Sequence, residues 1–504
     1  MSDVAPPEQL PELARDQEWQ RLDPRMMLVH PVREVVRFLP ALIAIAFAGR
    51  AAGGQAWQAL GILIPVVIGL LRYLTTSFRV AAGRIELRRG LVSRHVLSTP
   101  VERVRTVDLT SSLIQRALGL TTLRVGTGTA STSEDEKLDL DGLPLDRARA
   151  LREDLLRVSP ADDAEAAARG SSPTGEEVVV AFERSWLRFA PLTGSGVVIA
   201  AAAVGLGAQF LEIVGFWDSL DPEDYEAFSG PTLPLAVLVP VGILAALVVT
   251  SALAVAGYLV TNWAFRVTRR PPGPGGDWHL TRGLFTTRET TLDDDRVAGV
   301  TLTEAIGVRA AGGARLSAIV TGLDRSERGS STLVPPAPRA TVERTARAVL
   351  GVDDPVSGPL VPHGPAAVRR RWTRALGPAA ILVLAAVVAV AFGGPTWLLA
   401  TLIVLPVAAL LAADRVRALG HALVDRHVVA RAGSVVRRRR ALAVEHVIGW
   451  NFRATWFQRR VGLTTLVATT AGGGQAVPIL DVPDDLAVEL AEQALPDLVS
   501  QFRA

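Results

Sequence analysis

Apolar residues gather into six long runs that come in pairs: about 35–52 with 57–74, 189–211 with 233–260, and 375–392 with 397–413. Eighteen helical residues at about 1.5 Å each cover roughly 27 Å, close to the thickness of a hydrocarbon core. Each run therefore predicts a transmembrane helix and each pair a hairpin, the longer second pair tilting. After each hairpin the pattern changes. In the first polar stretch, short alternating segments at 78–80, 84–88, 91–97, 103–109 and 122–126 are broken by Gly, Ser and Pro, which predicts a small antiparallel sheet or barrel. Helical patterns at 146–158, 340–350 and 483–500 close the three polar stretches, the last with proline in its first turn.

This pattern divides the chain into an N-terminal tail (1–27), hairpin 1 (28–75), a first domain (76–158), a polar, flexible linker (159–184), hairpin 2 (185–262), a second domain (263–350), a second linker expected to be flexible (351–368), hairpin 3 (369–415) and a third domain (416–504). The fold class expected is six transmembrane helices carrying three small β-barrel or sandwich domains, each capped by a C-terminal helix. The acidic, proline-bearing start lacks the basic and apolar regions of a secretory signal and is expected to be a disordered cytoplasmic tail.

Composition agrees with a membrane protein: 49% hydrophobic and 20% charged residues, with mean hydropathy +0.30. The net charge of +3 is too small on 504 residues to point to nucleic acid. Its distribution says more. Arg33 and Arg37 precede hairpin 1 and Arg79, Arg84, Arg88 and Arg89 follow it; Arg184 and Arg188 precede hairpin 2 and Arg266, Arg269 and Arg270 follow it; Arg369, Arg370, Arg371 and Arg374 lead into hairpin 3. The loop inside hairpin 2 is acidic, with Glu212, Asp218, Asp221, Glu223, Asp224 and Glu226. By the positive-inside rule both termini and all three domains are expected on the cytoplasmic side. The runs carry almost no ionisable group at depth, so they read as anchors rather than a transport path.

The chain contains no cysteine, which removes disulfides, thiolate metal sites and cysteine nucleophiles. Seven scattered histidines show no metal-ligand spacing and read as ordinary surface or strand residues. Asp293-Asp294-Asp295 reads as a solvated turn, because consecutive strand residues alternate faces. No Gly-x-Ser-x-Gly elbow supports a hydrolase. The chain is expected to be no enzyme and to need no cofactor or metal.

Internal repetition is the strongest signal. Gln115-Arg116-Ala117-Leu118-Gly119-Leu120-Thr121-Thr122-Leu123 returns as Gln458-Arg459-Arg460-Val461-Gly462-Leu463-Thr464-Thr465-Leu466. In the same register Gly90 maps to Gly433 and Val104 to Val447. A middle copy places Gly283, Arg296 and Gly312 where the first has Gly90, Arg103 and Gly119. The glycines are read as turn or bulge positions requiring positive φ, in preference to a close approach by a ligand.

A hairpin followed by these motifs, carried by Gly90, Glu102, Arg103, Val104, Val107, Arg116, Gly119, Leu120 and Leu123 and their counterparts Gly433, Glu445, Val447, Arg459, Gly462, Leu463 and Leu466, resembles the bacterial pleckstrin-homology-like family of membrane-flanked domains, in its long form with three tandem copies. The second copy departs, with Gly312-Gly313-Ala314-Arg315-Leu316 in place of Gly-Leu-Thr-Thr-Leu. The resemblance implies seven-stranded, partly open barrels, no catalytic residues, and assembly with a shorter membrane protein of the same family.

Arg437-Arg438-Arg439-Arg440 is the candidate contact for anionic lipid headgroups, each cation near a membrane surface contributing about 1 kcal/mol. A solvated strand edge guarded by charge explains the run equally well. The function expected is a multi-pass cytoplasmic-membrane protein that presents three domains as a protein- or lipid-binding scaffold, held to the bilayer and gaining from linkage of the modules. The alternative is a component of an export or envelope-stress system, such as resistance to a membrane-active peptide.

Overall fold

The computed structural model describes residues 19–29, most of 73–126, 138–157, 177–194, 235–269, 276–321 and most of 331–496, with a few helical residues in 67–71 and 198–212. Most of hairpin 1, most of the first helix of hairpin 2 and the repeat anchors Gly90 and Arg103 lie outside the described residues. Among the described residues three helices are long and apolar enough to cross a membrane, spanning Pro240–Asn262, Gly364–Ala391 and Thr396–Ala418.

The chain forms two compact units, and the segment 263–350 contributes to both. In the first unit, β1 (Gln20–Arg21), β2 (Ser77–Ala81), β3 (Arg84–Arg89) and β4 (His95–Pro100) make an antiparallel sheet in that order. β2 alternates buried and half-exposed positions, the period-2 pattern that lets one face close a core. β5 (Thr106–Ser112) leads through a short helix α1 (Leu113–Ala117) into β6 (Leu120–Gly126) and β7 (Leu138–Pro144), and α2 (Leu145–Arg157) follows. Ile85, Leu87, Val107, Leu123 and Leu140 from these strands meet Ala148 and Leu155 of α2 in one core. β8 (Glu177–Ala181) straddles the division between the units.

The second copy supplies α3 (Leu235–Asn262), then β9 (Arg266–Arg269), β10 (Asp277–Arg282) and β11 (Thr286–Asp293). These three strands belong to the first unit, where β11 pairs with β5 and the sheet runs β7-β6-β5-β11-β10-β9. Its later elements, β12 (Val297–Ala305), α4 (Ile306–Ala310), β13 (Gly313–Val320), β14 (Thr332–Pro338) and α5 (Arg339–Leu350), belong to the second unit.

The second unit continues with α6 (Asp354–Ser357), α7 (Gly364–Ala391) and, after a 3-10 segment Thr396–Ile403, α8 (Val404–Ala418). β15 (Gly420–Val424), β16 (His427–Ala432) and β17 (Val436–Ala443) complete a six-stranded sheet, β14-β13-β12-β17-β16-β15. β18 (Gly449–Arg453), a short helix α9 (Trp456–Arg459), β19 (Leu463–Thr469) and β20 (Ala476–Pro483) form a three-stranded sheet closed by α10 (Asp484–Ala494).

Three expectations change. Each copy shows six described strands in two sets of three, and the sets join across copies instead of closing on their own copy. The stretch 351–368 is an ordered connection: buried Arg439 donates to the carbonyls of Asp354, Pro355 and Gly358 and folds the chain around its guanidinium. Pro483 ends β20 and is the N-cap of α10, at φ −53° and ψ 141°, so the helix starts one residue later than the proline signal implied.

Candidate membrane-anchoring site

Each copy places its short helix at the same repeat position, and the first helical residue is an exposed apolar one: Leu113, Ile306 and Trp456. In the first and third copies the helix is fixed by a capping box. Ser112 and Thr455 accept from the backbone N–H of Gln115 and Gln458, whose side chains return to the cap. This gives the repeated glutamine its role. Its amide also donates to Thr122 in the first copy, and to Thr465 and Asp481 in the third, at 3.0, 3.0 and 2.8 Å. The second copy has Ala305 at the cap and no side-chain bond there, in line with its divergent sequence.

Beside this short helix the last strand of each copy receives a segment adjoining one of the apolar stretches of the chain, two residues before the strand's closing proline. In the first copy that position is Gly142, at φ 73°, where a Cβ would collide with the buried Met26 side chain. In the second copy it is Pro336, whose carbonyl accepts from the Tyr258 hydroxyl of α3 at 2.8 Å. Nearby, the buried Phe189 ring packs where a side chain on Gly313 would stand.

The third copy uses charge. Asp481, at φ 54°, accepts from Arg370 Nε at 3.0 Å and lies 2.7 Å from Arg371 Nη2, both from the first two turns of α7. Arg370 also donates to Thr455 of the short-helix cap at 3.4 Å. A buried carboxylate faces two guanidiniums, Arg370 and Gln458 donating to one oxygen and Arg371 ion-paired with the other, so the buried charge is offset by opposite charge although Asp481 Oδ2 and Arg371 Nε make no hydrogen bond among the described residues. Thus the foot of the apolar helix α7 is fastened to the loop that exposes Trp456 and Phe457, with Arg460 stacked 3.9 Å over the Trp456 ring.

A histidine pair adjoins the cluster. His363 Nδ1 lies 2.9 and 3.1 Å from the carbonyl oxygens of Leu480 and Asp481, so this nitrogen carries the proton and donates. Nε2 is then an acceptor for His421 Nδ1 at 2.9 Å. Burial lowers the pKa of His363, and burial followed by the neighbouring His363 lowers that of His421 to about 4. Sequence spacing gave no hint of this pair, because the partners are distant in the chain.

The arginine run does not act as one patch. β17 is an interior strand, paired with β16 and β12, so it is not a charged edge. Arg437 pairs with Asp414 at 2.7 Å and Arg439 is buried against backbone carbonyls; Arg438 is exposed and Arg440 half-buried. Of the other repeat anchors, Gly119, Gly312 and Gly462 take φ of 71°, 74° and 62°, and Gly283 and Gly433 take 110° and 114°. A Cβ at Gly433 would collide with the Val436 carbonyl oxygen, which makes the turn before β17 a position for glycine alone. Arg296 pairs with Asp293 at 3.4 Å and donates to the Val104 carbonyl at 3.2 Å. Asp294 accepts from Arg269 and from Trp278, and no cluster suited to a metal exists among the described residues.

Residues 34–159 and 379–494 match the family model of the bacterial PH domain. Two regions of the chain are PH-like. They coincide with the first and third repeats together with parts of the adjoining apolar segments, and the PH-domain match does not extend to the second repeat. Comparison with curated proteins and with solved structures found no match. The matched PH-like regions and the three apolar helices together fit a membrane-associated PH-domain protein.

Proposed function

We propose that the protein is a non-enzymatic, multi-pass protein of the bacterial cytoplasmic membrane, presenting three PH-like modules at the inner leaflet as a protein- or lipid-binding scaffold. The observation that carries this reading is the clamp of Arg370 and Arg371 of α7 on Asp481, next to the exposed Trp456 and Phe457. A flexible tether would let a domain wander from the bilayer. A helix foot locked to the domain holds one face of it at the interface, where Trp and Phe are at home. The outward faces of α7, the 3-10 segment and α8, with Ile381, Leu384, Ile403 and Leu410 exposed, need hydrocarbon around them.

Linked modules on one chain act by avidity, each weak contact being made at high effective concentration. Arg438 and Arg440 remain as cations for anionic headgroups or an acidic partner. Orientation toward the cytoplasm follows from the arginine-rich flanks.

A photoreactive group placed at position 457 or 438 in native membranes tests the scaffold. Adducts with lipid headgroups or with one recurrent protein are expected. Absence of any adduct at both positions, in membranes where the labelled chain is intact, would contradict the reading.

A further inference from the structure

Every copy offers two strand edges, one from its first sheet (β4, β11 and β17) and one from its second (β5, β12 and β18). Four of these six edges are joined in two junctions. β5 pairs with β11, placing Ser112 opposite Thr286 and Val107 opposite Thr291. β12 pairs with β17, placing Ala305 opposite Val436 and Val300 opposite Ala441. In the repeat Ser112 corresponds to Ala305 and Thr286 to Val436, so the two junctions have the same register, residue for residue. The remaining edges are β4 and β18, each the last strand of its sheet among the described residues.

We infer that β18 of one molecule pairs antiparallel with β4 of a second copy of this chain, in the register of the internal junctions: Arg453 opposite His95, Phe452 opposite Val96, Asn451 opposite Leu97 and Trp450 opposite Ser98. The side chains fit that partner. Phe452 is 46% exposed, whereas its counterparts Leu109 and Leu302, inside formed junctions, are 2% and 5% exposed. Val96 is 52% exposed, while its counterpart Glu289 is held by Arg149 and Arg152 of α2 and its counterpart Arg439 is buried. An apolar pair therefore stands exposed where both formed junctions are covered. β4, reading His-Val-Leu-Ser-Thr-Pro, has no charged residue to guard it, unlike the usual solvent-facing edge.

Each molecule has one β4 and one β18, so the contact is head-to-tail and builds a ring or an open row in the plane of the membrane. Main-chain hydrogen bonds supply the pairing and the Phe452–Val96 contact selects the register.

The chain has no native cysteine, so introduced ones report alone. Full-length Val96→Cys and Phe452→Cys chains carrying different tags are co-expressed and oxidised in native membranes, beside a chain carrying both substitutions and a Thr303→Cys/Arg438→Cys chain that reports the internal junction. The mass of the wild-type protein in detergent is measured in parallel. The expected result is a disulfide joining the two tags, none within a single-variant population, and a wild-type mass of at least two chains. Phe452→Asp should lose that association at least tenfold. A monomeric wild-type protein, a 96–452 disulfide formed only within one chain carrying both cysteines, or an oligomer lacking this disulfide while the internal one forms, would overturn the inference. So would finding the β4 edge occupied by a different protein.

Discussion

Asp481 and Arg371 form an ion pair 2.7 Å across, with only 3% and 14% of their side chains exposed, and this pair fastens the apolar helix α7 to a PH-like region. Replacing Asp481 by Ala strands two guanidiniums that have left water. Removing one partner of a buried pair typically costs about 3–5 kcal/mol. The expected outcome is a large fall in thermal stability of the detergent-solubilised protein, read by aggregation or fluorescence. Asp481→Asn should recover only part of it, because the amide keeps the Gln458 contact and loses the charge.

The second copy is fastened by packing instead. Phe189 is fully buried beside Gly313. Phe189→Ala should destabilise by about 3–5 kcal/mol, as truncation of a buried aromatic does. A denaturation midpoint unchanged from wild type would show that this contact is not made.

Stability should fall with acid because of the His363–His421 pair. Both pKa values are lowered in the folded protein, His421 to about 4, so the unfolded chain binds more protons below the ordinary value of 6.5. Stability from this pair is complete above that value and is lost as pH falls toward about 4, His421 alone accounting for an amount on the order of 3 kcal/mol. Melting temperature against pH for wild type and His421→Gln checks the sign: the variant should show the shallower loss.

Exposed apolar residues at the short helices should meet the interface. A cysteine at Phe457 carrying a polarity-sensitive dye is expected to emit at shorter wavelength in vesicles than one at Arg438. Equal emission from the two sites would place residue 457 in water.

Much of this was readable in the sequence. Period-2 stretches gave β2 and β3 within a residue or two, and apolar runs gave α7 and α8, because strand alternation and hydrocarbon length leave local traces. The spacing of Gly119 and Gly462 encoded a left-handed turn. Strands β7, β14 and β20 were missed: each holds proline or glycine, and β14 reads Thr-Leu-Val-Pro-Pro-Ala-Pro, which looks like a loop until its partner β13 is in place. The pairing of β11 with β5 and of β12 with β17 left no local mark either, since edge selection depends on residues far apart in the chain. Asp481 was silent for the same reason: its two arginines looked like topology signals until α7 was folded against β20.

The central claim is that one strand register, used twice, splices the second copy onto its neighbours on both sides. The most direct measurement is disulfide formation in two full-length variants, Thr110→Cys/Arg288→Cys and Thr303→Cys/Arg438→Cys, whose residues face each other across the two junctions. Both should close within a single chain, and versions offset by one residue on one strand should not. If either pair stays reduced while an offset version closes, the shared register, and the account built on it, is wrong.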